Sequence, residues 1–136
     1  MPSSLRLVLL LLVLGAFATP VAVYEIYHQD DVQARITAQQ ITGGHVRTGK
    51  ALVGQYGCAS CHQFAESSGT QGMVGPSLKG VAVRATIAGR LANQPDNMIL
   101  WLRHPQQVVP GNGMPDQGLS EQQARDLAAY LYTLKP

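Results

Sequence analysis

The longest apolar stretch of the chain lies near its N-terminus. Residues Leu7–Val23 are almost entirely aliphatic, and the apolar character continues to Tyr27. A helix over the 21 residues from Leu7 to Tyr27 is long enough to cross the hydrocarbon core of a bilayer. The pattern therefore predicts a transmembrane anchor over residues 1–27.

The same stretch has a second interpretation, which is a cleaved secretory signal. Ala16-Phe17-Ala18 fits an A-x-A cleavage site. Arg6 precedes the apolar segment, whereas Glu25 and Asp30 follow it, so the positive-inside rule leaves the N-terminus in the cytoplasm and the rest of the chain outside. Both interpretations export the downstream residues. The anchor is favoured because the apolar character continues well past the cleavage motif.

Downstream of the apolar stretch, the polar segment 28–47 contains no proline. We expect it to be a tether, either helical or loose, that ends at Gly43-Gly44. Such a tether lets a domain over 48–136 move away from the membrane. Helical periodicity and capping residues then predict three main helices, over Thr48–Tyr56, Pro95–His104 and Ser120–Leu134.

The segments between these helices, Gln63–Arg90 and Val108–Gly118, are rich in glycine or proline and are predicted to be loops. No pair of strands is evident. The fold class is therefore all-α, with long loops of the kind that usually surround something functional.

Composition narrows the function further. The formal net charge is +2, and charged residues make up only 13% of the chain. No basic stripe with interleaved aromatic residues is present, which argues against nucleic-acid binding. A domain as small as 48–136 buries little surface, so its folded state is only marginally stable without a cross-link or a bound cofactor.

The sequence Cys58-Ala59-Ser60-Cys61-His62 indicates such a cofactor, because C-x-x-C-H is typical of c-type haem attachment. Two thiols at this spacing can each bond a vinyl group on one edge of the macrocycle, while His62 supplies an axial nitrogen to the iron. A zinc site needs a second ligand pair, and the chain has two cysteines in all. A redox dithiol would be expected in a βαβ context, which is not predicted here.

The sixth ligand of the iron has several candidates. Met114 is favoured because it lies in a long loop rich in glycine and proline that can cross to the opposite haem face, and a thioether ligand raises the potential. Met98 fits a helix face better suited to packing, and Met73 lies too near His62. The histidines His28, His45 and His104, or an open iron, remain as alternatives.

These residues resemble class I cytochromes c over about Gly49–Pro136. Four ordered motifs carry the resemblance: Cys58–His62, Gly75-Pro76-Ser77-Leu78, Met114-Pro115 and Asp126–Leu131. The family implies a cytochrome c-like domain around one covalent haem c. It also implies that the Pro76 carbonyl orients the axial histidine, and that Arg84 and Trp101 lie near the haem propionates. Tyr130 would pack across the first helix near Gly49.

The resemblance implies a non-enzymatic single-electron carrier of a respiratory chain. Its expected partners are redox proteins such as a respiratory oxidase or a quinol-oxidising complex, and its expected place is the inner membrane with the haem domain in the periplasm. A soluble periplasmic protein after signal cleavage is the alternative. A fixed haem subunit of an oxidase or dehydrogenase, and a peroxidase or gas sensor with an open sixth site, are the competing functions.

Overall fold

The computed structural model describes residues 2–64 and 72–136. Part of the loop predicted over Gln63–Arg90, residues 65–71, lies outside the described residues. Within the described ranges there are five α-helices and one pair of short strands: α1 (Ser3–Thr42), α2 (Val46–Gln55), β1 (Thr86–Ile87), β2 (Leu91–Ala92), α3 (Pro95–Arg103), α4 (Pro105–Val108) and α5 (Glu121–Leu131). The all-α fold class is confirmed.

The chain divides into two compact units, Met1–Gln33 and Ala34–Pro136. The first consists of most of α1. In the described part of the chain, α1 is the one helix long and apolar enough to cross a membrane. An N-terminal signal sequence meets the same criterion, so the helix is compatible with both interpretations of the apolar stretch.

The end of α1 belongs to the second unit and differs from a free tether. Ala38 is 2% exposed and Thr42 is 1% exposed. The guanidinium of Arg125 on α5 donates to the Thr42 carbonyl at 3.0 Å, and Gln122 donates to the Gly43 carbonyl at 3.3 Å. The helix therefore continues to Thr42 because its last turn packs on the domain, a tertiary contact that the polar sequence of the segment does not reveal.

The core of the second unit is centred on α5, which packs against α2 and α3. Five consecutive α5 residues, Leu127–Leu131, are each at most 5% exposed. The backbones of α2 and α5 approach so closely that a Cβ added at Gly49 would lie 1.9 Å from the Asp126 carbonyl oxygen. Tyr130 packs against Gly49 at the same crossing, as the family resemblance implies.

The helix ends show where the local sequence pattern was right and where it was not. The capping box of α5 forms. The Ser120 hydroxyl accepts a hydrogen bond from the Gln123 N–H, and the Gln123 side chain accepts one from the Ser120 N–H. The predicted start of the first domain helix at Thr48 is wrong, because α2 begins at Val46 with His45 as its N-cap residue. The His45 N–H is satisfied instead by the buried Asp126 carboxylate at 2.8 Å.

The strand pair was not predicted. Ile87 faces Leu91 in antiparallel register, and the turn between them contains Ala88 with φ 50° and Gly89 with φ 65°. Strands of two residues are too short to produce an alternating pattern. Asn93 stabilises the region by donating to the carbonyls of Val81 and Arg84, both at 2.8 Å.

Tyr132, just after α5, gives a pH-dependent prediction. Burial raises its pKa to about 12, and its hydroxyl donates to Asn93 Oδ1 at 3.0 Å. The folded state therefore holds this proton more tightly than the unfolded chain, whose tyrosine pKa is near 10. The resulting stability is present below pH 10 and is lost as the pH rises towards 12.

We expect Tyr132→Phe to weaken the loss of stability in that alkaline range, and to remove the latest tyrosinate transition in an ultraviolet pH titration. Tyr27→Phe, which removes a tyrosine that is 73% exposed, is the matched control and should leave both unchanged. An unaltered alkaline unfolding curve in Tyr132→Phe would contradict the assignment.

Candidate functional site

The C-x-x-C-H segment begins where α2 ends. Gly57 adopts φ 64°, a left-handed conformation that stops the helix and turns the chain. A short 3-10 turn, Cys58–Ser60, follows, and the His62 N–H donates to the Cys58 carbonyl at 2.9 Å. Both thiols are free and half-buried, and burial raises the pKa of the Cys58 thiol.

The imidazole of His62 is held in a defined orientation. Its Nδ1 lies 2.8 Å from the Pro76 carbonyl oxygen. Because a carbonyl can only accept, Nδ1 carries the proton and donates it. The other ring nitrogen, Nε2, is left with its lone pair, which is the state required of a metal ligand.

The loop over residues 72–78 lies against this imidazole, and its closest approaches are at two glycines. A Cβ added at Gly75 would lie 2.4 Å from His62 Cε1, and one added at Gly72 would lie 1.8 Å from the Ser60 carbonyl oxygen. Three backbone hydrogen bonds join the loop to the motif and to the residue after it. The N–H groups of Gly72, Gly75 and Leu78 donate to the carbonyls of Ala59, Cys61 and Gln63 at 3.0, 2.9 and 2.8 Å. Glycine is needed at position 72 because the two backbones touch there, and at position 75 because the loop lies against the His62 ring.

Arg84 has backbone partners. Its guanidinium donates to the Ser77 carbonyl and, at 2.9 Å, to the Lys79 carbonyl. The side chain therefore braces the loop that follows Pro76. Trp101, on α3, is half-buried and packs against the hydrophobic core. Their expected contacts with haem propionates remain predictions.

The structure separates the candidate sixth ligands by their surroundings. Met98 is 2% exposed within the core, whereas Met73 is 83% exposed. Met114 is half-buried at the edge of the core cluster. His45 is exposed at the start of α2, and His104 lies between α3 and α4. His28 lies in α1 beside Tyr24, with the two ring centroids 6.0 Å apart.

Sequence reasoning missed the side chains that organise the loop of Met114. Gln106 donates to the Met114 carbonyl at 2.7 Å, and Asn112 accepts the Met114 N–H at 2.7 Å. The available signal was Pro110-Gly111-Asn112, a typical turn sequence whose asparagine can bond to nearby backbone groups. Gln106 had no local signal.

The donor set fits a covalently bound haem. Two half-buried thiols lie three residues apart, next to an imidazole whose Nε2 lone pair is available. Partly buried apolar side chains also flank the core, among them Tyr56, Leu78, Leu91, Trp101 and Met114. These are the thiols, the ligand nitrogen and the apolar surface that haem c requires.

Comparison with known proteins agrees with this chemistry. The family model described as "Cytochrome c" matches residues 46–135. The chain belongs to the cytochrome c family, whose members carry covalent haem c and transfer electrons. This confirms the resemblance to class I cytochromes c.

The relatives fall into two kinds. Cytochrome c2 of Rhodopila globiformis is 35% identical over 91 residues, which cover 57% of this chain and 83% of that protein. Cytochrome c oxidase subunit 2 of Alkalihalophilus pseudofirmus is 35% identical over 88 residues, covering 64% of this chain and 25% of the relative. Its counterpart from Bacillus sp. (strain PS3) is 32% identical over 99 residues, covering 70% and 28%. The chain thus spans about a quarter of the oxidase subunits that it matches.

Proposed function

We propose that this protein is a single-electron carrier with one haem c, attached through Cys58 and Cys61 and ligated by His62 and Met114. The observation that carries the proposal is the hydrogen bond from His62 Nδ1 to the Pro76 carbonyl. It fixes the ring tautomer that an axial ligand needs, directly beside the two thiols. The bound haem supplies reversible one-electron chemistry.

The chain's own residues restrict what that chemistry can be. The hydrogen bond to the Pro76 carbonyl orients the His62 ring, and the glycine at position 75 leaves room for that ring. Together with Met114, His62 would hold the haem iron, and both of these ligands would come from the protein. No substrate then has a free coordination site, so outer-sphere transfer to a docked partner is the function that remains.

Exposed apolar side chains support docking beside the motif. Met73 is 83% exposed and Val74 is 79% exposed, and they are the two residues before the glycine that lies against His62. Docking through apolar contacts tolerates salt. The proposed partners are respiratory redox proteins, namely an oxidase or a quinol-oxidising complex.

A second candidate is a fixed haem subunit of an oxidase, because two relatives are cytochrome c oxidase subunit 2 proteins. In either case we place the domain in the periplasm, with α1 as an anchor in the inner membrane. A stable complex with oxidase subunits in mild detergent would favour the fixed subunit over the mobile carrier.

The ligand assignment is tested by Met114→Ala in the holoprotein. We expect it to open the sixth site, so that the reduced protein binds carbon monoxide, whereas the wild type does not. Met73→Ala is the matched control, since it removes an exposed methionine. Carbon monoxide binding by the wild type would instead support a gas sensor or peroxidase, and unchanged ligation in Met114→Ala would contradict the assignment.

The anchor is tested in the same preparation. A haem-staining band of full length in the membrane fraction supports an uncleaved helix. A shorter haem-staining band in the soluble fraction identifies the N-terminal segment as a cleaved signal and leaves the electron carrier standing.

A further inference from the structure

The loop that carries Met114 is held by the amide of Gln106. Its Nε2 donates to the carbonyls of Asn112 and Met114, at 2.9 and 2.7 Å. Its Oε1 accepts the N–H of Gly111 at 3.1 Å. One half-buried side chain therefore fixes three points of the loop.

Asn112 completes the arrangement from within the loop. Its Oδ1 accepts the Met114 N–H at 2.7 Å. Its Nδ2 donates to the carbonyls of Pro105 and Val109, at 2.9 and 2.7 Å. The backbone of Met114 is thus held on both sides, at its N–H by Asn112 and at its carbonyl by Gln106.

The backbone of the loop is consistent with this network. The Asn112 N–H donates to the Val109 carbonyl at 3.2 Å, which closes a β-turn over Val109-Pro110-Gly111-Asn112. Gly111 has φ 75°, and proline followed by a left-handed glycine is the signature of a type II turn. Every bond described above joins residues within 105–114, so the segment is organised by its own contacts.

We propose that Gln106 and Asn112 are positioning residues, which preset the backbone of Met114 and thereby strengthen its hold on the iron. The proposal rests on the assignment of Met114 as the sixth ligand. When a ligand on a flexible loop binds the iron, the loop loses backbone conformational entropy, and this loss weakens binding to the iron. A loop that is already ordered loses less, so its methionine competes better with any added ligand.

The test is competition by imidazole for the iron in the oxidised holoprotein. The titration is monitored by the loss of the absorption band that reports the bond between the iron and the methionine sulfur. Gln106→Met keeps the length of the side chain and removes all three hydrogen bonds. We expect its apparent dissociation constant for imidazole to fall by roughly tenfold or more, since the loss of three hydrogen bonds loosens the loop. Gln107→Met, at the adjacent exposed glutamine, is the matched control and should stay within about twofold of the wild type.

Substitutions at Asn112 separate the two sides of the network. Asn112→Asp keeps the oxygen that accepts the Met114 N–H but turns a second acceptor oxygen towards the carbonyls of Pro105 and Val109. Asn112→Leu removes every hydrogen bond of this side chain. We expect both variants to bind imidazole more tightly than the wild type, and unchanged affinity in both would contradict the role of Asn112. Circular dichroism at the titration temperature must show each variant folded, so that ligand exchange is separated from unfolding.

Two negative results have different meanings. If Gln106→Met and Gln107→Met bind imidazole equally while Met114→Ala abolishes the iron–sulfur band, the positioning role is wrong and the proposed function stands. If Met114→Ala leaves that band unchanged, the methionine is not the ligand and the positioning role falls with the assignment.

Discussion

Replacing both cysteines, in the double variant Cys58→Ser and Cys61→Ser, should abolish covalent haem attachment completely. Serine hydroxyls are far weaker nucleophiles than thiols and do not form the thioether bonds. The single variants should each keep one bond and stain more weakly. The measurement is haem staining of a denaturing gel after expression with a c-haem maturation system.

The same double variant should also lose fixed tertiary structure. Leu78, Leu91, Trp101 and Met114 each pack against the core with part of the side chain still exposed. The proposed haem would cover this surface, and a domain of this size has little stability to spare without it. Near-ultraviolet circular dichroism should therefore weaken, while much of the helical signal in the far ultraviolet remains.

Ser60→Ala is the control for these variants, since Ser60 lies between the two cysteines. Its hydroxyl lies 2.7 Å from the Gly57 carbonyl oxygen and 3.9 Å from Cys61 Sγ, and both contacts are exposed. We expect normal haem staining and a small change in stability. A haem-positive band from the double cysteine variant would refute the attachment site, whereas loss of staining in Ser60→Ala would show that the turn itself is the sensitive feature.

The attachment motif and the later helices were predictable because their signals are local. C-x-x-C-H spans five residues, and the capping box of α5 joins Ser120 to Gln123. Pro95 marks the first position of α3 by its own fixed φ angle. In each case the residues that decide the structure are neighbours in sequence, so their spacing carries the information.

The features that sequence reasoning missed depend on distant partners. The start of α2 is set by Asp126, which lies 81 residues beyond His45. The end of α1 is ordered by Arg125, which lies 83 residues beyond Thr42. Such contacts leave no periodic trace. Ala38 and Thr42, upstream of α2, are buried, and the Thr42 carbonyl accepts from Arg125 on α5.

The glycine at the crossing of α2 and α5 allows the sharpest test of this packing. Gly49→Ala would place a methyl group 1.9 Å from the Asp126 carbonyl oxygen and 2.9 Å from Tyr130 Cβ. Backbone atoms cannot rotate away as a side chain can, so the two helices must separate. We expect a loss of about 2–3 kcal/mol in the free energy of unfolding.

Gly54 provides a matched control on the same helix. A Cβ added there would meet nothing within 4 Å, so Gly54→Ala tests helix propensity without the clash. We expect it to stabilise the domain by up to about 1 kcal/mol. Denaturant unfolding of the two holoproteins should therefore shift in opposite directions from the wild type. Equal shifts in the free energy of unfolding would mean that α2 and α5 do not pack together at Gly49. Some other contact would then have to position the cysteine turn that follows α2.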